Sequence, residues 1–117
     1  MREIGRVYAA LDPAHRDEAP GFESNDALFE SMPVDAEAWI AFELSGLCED
    51  VRALRPGGII GTYEEAWFEA PQLPALIALL ERAGNAPPEA RAFLAALVVF
   101  VRRANARGVG ITLVIGG

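Results

Sequence analysis

The chain has 117 residues, the size of one ordinary domain, and a hydrophobic share of 52% supplies enough apolar side chain to close a single core. Seventeen acids against ten arginines, with one histidine and no lysine, leave a formal net charge of −7, a field that repels phosphate backbones and excludes a nucleic-acid binder lacking a clustered basic face. The single cysteine, Cys48, excludes an internal disulfide and a cysteine-rich zinc site.

Residues 2–11 alternate Ile4, Arg6 and Tyr8 with Gly5, Val7 and Ala9, the pattern of a strand at or next to a sheet edge. Residues 12–23 are polar, carry two prolines and have no period, which predicts an exposed loop. Asn25 or Asp26 is expected to cap one helical turn over residues 27–32, stopped by Pro33. Asp35 then caps a longer helix predicted over 36–54, because Ile40, Leu44, Leu47, Val51 and Leu54 recur at spacings of 4, 3, 4 and 3. Glu37 lies in its first turn, Arg52 and Arg55 lie in its last, and Pro56-Gly57-Gly58 ends it. A competing strand over 38–44, suggested by Trp39, Ile40 and Phe42, yields to that sustained stripe.

Ile59, Ile60, Tyr63, Trp67 and Phe68 predict one or two short strands. Pro71 and Pro74 suit the first turn of a helix that buries Leu73, Leu76, Ile77 and Leu80 and stops at Gly84-Asn85. Pro87-Pro88 opens a last helix to Arg107, patterned by Phe93, Leu97, Phe100 and Ala104, with Gly108 as the residue just past its end. Residues 109–115 are apolar, β-branched and uncharged, so a largely buried, central strand is expected. The order β, α, β, α, α, β over residues 1–117 predicts a single α+β domain, a small mostly antiparallel sheet with about three helices on one face. The apolar run 93–101 falls short of the roughly 20 residues of a membrane span, and the first residues lack the apolar stretch of a signal peptide, so a reduced, cytoplasmic protein is expected.

No constellation for catalysis emerges. His15 sits among Asp12, Asp17 and Glu18 without a recognised ligand spacing, so neither a metal nor another cofactor is expected. The neighbours Glu49 and Asp50 disfavour the thiolate that would make Cys48 a nucleophile. Ser24, Ser31 and Ser45 lack a nucleophile-elbow motif. Gly57, Gly58 and Gly61 lack the phosphate-loop pattern, and read as a helix stop. Arg102, Arg103 and Arg107 suit either an acidic partner or the dipole at the end of the last helix.

The charge is divided unevenly. Residues 1–70 hold fifteen acids and five arginines, residues 71–117 two acids and five arginines. Glu64, Glu65 and Glu69 cluster with Trp67 in the first part, the composition of an interface in which an aromatic anchor is rimmed by charge. The plain alternative divides Trp67 and Phe68 between core and surface and leaves the glutamates solvated.

The run 67–81, Trp-Phe-Glu-Ala-Pro-Gln-Leu-Pro-Ala-Leu-Ile-Ala-Leu-Leu-Glu, followed by a long amphipathic helix closing in Arg-Ala-Asn-Ala-Arg-Gly-Val-Gly-Ile, resembles small acidic immunity proteins of bacterial polymorphic-toxin systems. The resemblance covers about the C-terminal half and implies a cytosolic protein that binds and blocks a basic toxin domain. The expected contact residues are Asp17, Glu18, Glu64, Glu65, Trp67 and Glu69, with neither nucleic acid nor membrane as partner. A second expectation is a small enzyme or ligand-binding domain using carboxylates in a pocket between sheet and helices, with Glu43, Glu64 or His15 at its mouth. A third is a homodimer joined through Trp39 or Trp67.

Overall fold

A computed structural model describes residues 2–15, 27–44, 65–82 and 88–115, with backbone alone for residues 43, 44 and 65–67. Four antiparallel strands, β1 (Glu3–Ala10), β2 (Phe29–Asp35), β3 (Glu65–Phe68) and β4 (Ile111–Ile115), form a sheet in the order β2-β1-β4-β3. Three helices, α1 (Ala36–Leu44), α2 (Leu73–Glu81) and α3 (Pro88–Arg107), complete an α+β fold. None of the described helices is long and apolar enough to cross a membrane.

The sheet's parity decides where the core lies. Val7 pairs with Leu113 and with Met32, and Phe68 pairs with Ile111, so these positions share one face. Val7, Phe68, Ile111, Leu113 and Ile115 on that face are buried in one cluster with side chains of all three helices. On the other face Arg6, Tyr8, Thr112 and Val114 stay half-buried and Ser31 is exposed. Strand β4 carries the buried positions Ile111, Leu113 and Ile115 in the interior of the sheet, as its uncharged β-branched sequence predicts.

Helix α3 follows its sequence most closely. Phe93, Leu97, Phe100 and Ala104 are buried, with Ala90, Leu94 and Val101 beside them. At its end Gly108 adopts a φ of 74°, and the N–H groups of Gly108 and Val109 donate to Asn105 O and Ala104 O, each at 3.1 Å. This is a Schellman closure, which needs the left-handed conformation that glycine adopts without a side-chain penalty. Proline performs the matching role in α2. After a 3-10 turn at Ala70–Gln72, Leu73, Leu76 and Leu80 are buried, Ile77 is half-buried, and the prolines sit where a missing N–H costs little.

Two expectations fail. The helical turn over 27–32 shrinks to 3-10 geometry at Ala27 and Leu28, and Phe29–Asp35 is a strand that includes Pro33. Pairing explains how proline is tolerated there. Leu11 N–H donates to Leu28 O at 2.9 Å within the register that pairs Ala10 with Phe29. Antiparallel pairs alternate between bonded and non-bonded, so residues 28, 30 and 32 turn their backbone groups toward β1 while 29, 31 and 33 turn theirs outward. Pro33 therefore stands where its missing donor removes no ladder bond. The order gains a strand before α1, which the sequence reading lacked.

The second failure is the phase of α1. Ile40, first in the predicted stripe, is 49% exposed, while Trp39 and Phe42 are buried at 1% and 2%. Residues 36–44 are apolar on nearly every side, so their spacing alone does not choose a face. The aromatic rings decide, since Trp39 lies 5.2 Å from Phe42 and 6.4 Å from Phe93 of α3, and Phe42 lies 6.5 Å from Phe93. Leu47, Val51 and Leu54 lie outside the described residues, as do the strands expected at Ile59, Ile60 and Tyr63.

Candidate functional site

Asp35 joins three elements. Its Oδ1 accepts the Arg2 N–H at 3.2 Å and its Oδ2 accepts the Ala38 N–H at 3.1 Å, while Ala36 N–H donates to Arg2 O at 2.8 Å. The last residue of β2 thus serves as the N-cap of α1, as its sequence position predicts, and strand passes to helix without a loop.

Beside this junction lies an open groove of about 660 Å³ between β2, the start of α1 and the first half of α3. Its floor is Ala92, Phe93 and Ala96 of α3, and its wall includes Met32 and Pro33 of β2. Arg2, Asp35, Glu37 and Glu89 also line it. Phe93 is nearly buried, held from behind by Trp39 and Phe42, so the floor is backed by packed aromatic side chains. The volume falls within the roughly 300–1,000 Å³ usual for binding clefts, and the lining combines an apolar base with a few polar groups.

The ion pairs separate engaged from free acids. Glu30 accepts Arg103 Nη2 at 2.6 Å and Arg107 Nη1 at 2.9 Å, and Arg107 Nε also donates to Ala10 O at 3.0 Å. Glu3 pairs with Arg6, and Glu81 pairs with Arg102. The three arginines ending α3 are thus each paired with an acid of this chain. Glu37 and Glu89 have no ion pair among the described residues. Each is exposed in the first turn of its helix, and both line the groove.

The residues expected at an interface are placed differently. Positions 65 and 67 pair with Val114 and Thr112 on the helix-free parity of β3, the outer strand at the opposite side of the sheet from β2. Glu69 follows β3 and is exposed, and its N–H donates to Gln72 Oε1 at 2.8 Å, starting the turn into α2. Asp17, Glu18 and Glu64 lie outside the described residues. His15 ends the 3-10 turn Pro13–His15, where its N–H donates to Asp12 O at 2.9 Å and Asp12 Oδ1 accepts the Ala14 N–H at 2.9 Å. His15 does not line the groove. Among the described residues no three His, Cys, Asp or Glu side chains group so as to hold a metal ion.

Of the groove residues, Glu37 reads as a helix-start acid, whereas Glu89, Ala92 and Ala96 are not singled out by the sequence pattern. Only the packing of α1 on α3 makes them neighbours. No protein family, curated protein or solved structure matches the chain.

Proposed function

We propose that this chain is a protein-binding module that engages a basic partner through the groove, acting as an immunity-type inhibitor that covers a toxin's cationic surface. One observation carries the reading: Glu37 and Glu89, with no ion pair among the described residues, line a groove with an apolar floor while Glu3, Glu30 and Glu81 are paired within the chain. The net charge of −7 adds long-range attraction for a cationic protein, which speeds encounter and sets orientation. The apolar floor supplies contact area that charge alone lacks.

Affinity capture from the native host tests this, with the salt concentration varied. A basic protein is expected to be retained at about 0.05 M salt and released near about 0.5 M, where screening shortens the reach of surface charges. Absence of any retained protein at low salt overturns the proposal. A small organic cation is the second reading that the groove's volume favours, and for that ligand binding would be saturated by the small molecule alone, without a protein fraction.

A further inference from the structure

The outer edge of β2 meets the groove at Pro33 and runs on from it through Ser31 to Phe29. Among the described residues β2 is an outermost strand, and the pairing phase turns the backbone groups of Phe29, Ser31 and Pro33 away from β1. Two N–H groups, at Phe29 and Ser31, and three carbonyls therefore face outward. Ser31 is exposed, so the middle of this edge is open to solvent. A small molecule makes little use of such a row, whereas an extended peptide matches it bond for bond.

We infer that the groove receives an extended segment of a cationic protein, which adds as a strand along Phe29–Pro33 of β2. This rests on the protein-binding reading and specifies its mode. Alternate side chains of an added strand point to the helix-bearing face, where Ala92 and Ala96 of α3 leave room over Phe93 for an apolar residue. Glu37 and Glu89 both stand in the helix starts that border the groove, so a lysine or arginine at the Asp35 end of the segment meets unpaired carboxylate. Charge selects the occupant. A second copy of this chain would bring another net −7 to an acidic rim, whereas a basic segment neutralises it. Pro33, lacking a donor, weakens indiscriminate pairing along the edge and leaves Phe29 and Ser31 as the donors that a partner must match.

The probe is a synthetic peptide of five alternating valines and threonines with a lysine at each end, titrated into the isotope-labelled full chain and followed by amide chemical shifts and hydrogen exchange. The amides of Phe29 and Ser31 are expected to shift and gain protection. Methylating alternate peptide nitrogens, which removes the donors of one edge, or replacing the terminal lysines with glutamates is expected to weaken binding by about tenfold. The paired changes Glu37→Gln and Glu89→Gln are expected to do the same with an unchanged melting temperature. Equal binding by the methylated and unmethylated peptides, shifts centred on residues 65–68, or no shift at all overturns strand addition. A Ser31→Pro variant separates this inference from the broader reading, because that N–H bonds to no neighbouring strand. A folded Ser31→Pro chain that captures a basic host protein as well as the wild type does overturns strand addition while leaving protein binding intact, whereas no capture by either overturns both.

Discussion

The two outer strands of the sheet border unlike surfaces. Strand β3 holds positions 65 and 67 of the acidic and aromatic run that stands together in the sequence, and by register both fall on the helix-free parity. Strand β2 carries little concentrated charge, yet it walls a groove where Arg2, Asp35, Glu37 and Glu89 converge from distant parts of the chain. Proximity along the chain and convergence in space are therefore different signals. Acids that are neighbours in sequence need not face one site, whereas Glu37 and Glu89, at the starts of two helices that pack together, line one groove.

Five substitutions break or sharpen this contrast, beginning with the largest effect. Trp39→Ala removes the ring that holds Phe93 and Phe42, and is expected to lower unfolding free energy by about 3–5 kcal/mol in urea denaturation. Partner binding at the groove should fall with it, because Phe93 is part of the floor. A loss below about 1 kcal/mol would show that α1 is not held on α3 through these rings.

Gly110→Ala probes the other edge. A Cβ there would stand 2.2 Å from Phe68 O, so β3 must move away from β4. The expected cost is about 2 kcal/mol by denaturation, with faster hydrogen exchange in residues 65–68. Groove binding should survive in the folded fraction. If binding disappears while β2 keeps its exchange protection, the interface belongs to the β3 edge instead.

Asp35→Ala removes the cap of α1 and the acceptor for Arg2 N–H together, for an expected loss of about 1 kcal/mol in thermal melts. The smallest effect belongs to Glu69→Gln, expected to change stability by less than about 0.5 kcal/mol and, by calorimetric titration with a captured partner, affinity by less than about twofold. Glu89→Gln in the same titration should weaken binding more. The reverse ranking would return the interface to the predicted acidic cluster.

Residues whose local pattern has one packing solution were legible. The spacing of Phe93, Leu97, Phe100 and Ala104 defines one face of α3, Gly108 ends it, and the uncharged run 111–115 suits only a buried strand. The capping role of Asp35 was equally readable, because a carboxylate before a helix has backbone donors within reach whatever the rest of the fold does. Where the local pattern was degenerate, neighbours decided. Residues 29–35 became a strand because β1 offered an edge whose bonding phase leaves the missing donor of Pro33 unneeded. Helix α1, apolar on nearly every side, turned Trp39 and Phe42 inward and left Ile40 in solvent because the ring of Phe93 stood across from it.

The sequence by itself determined the composition of this protein's charge, the capping role of Asp35, the helix stop at Gly108, and the strand and helix whose periodicity admits one face. Tertiary structure alone decided which acids are neutralised and which are free. Glu30 meets Arg103 and Arg107 only because the end of α3 lies over β2, and Glu37 and Glu89 share one rim only because α1 packs on α3. Charge is a property of a residue type, readable at once, whereas the field at a site depends on distances between residues far apart in the chain, which exist only after the core has closed.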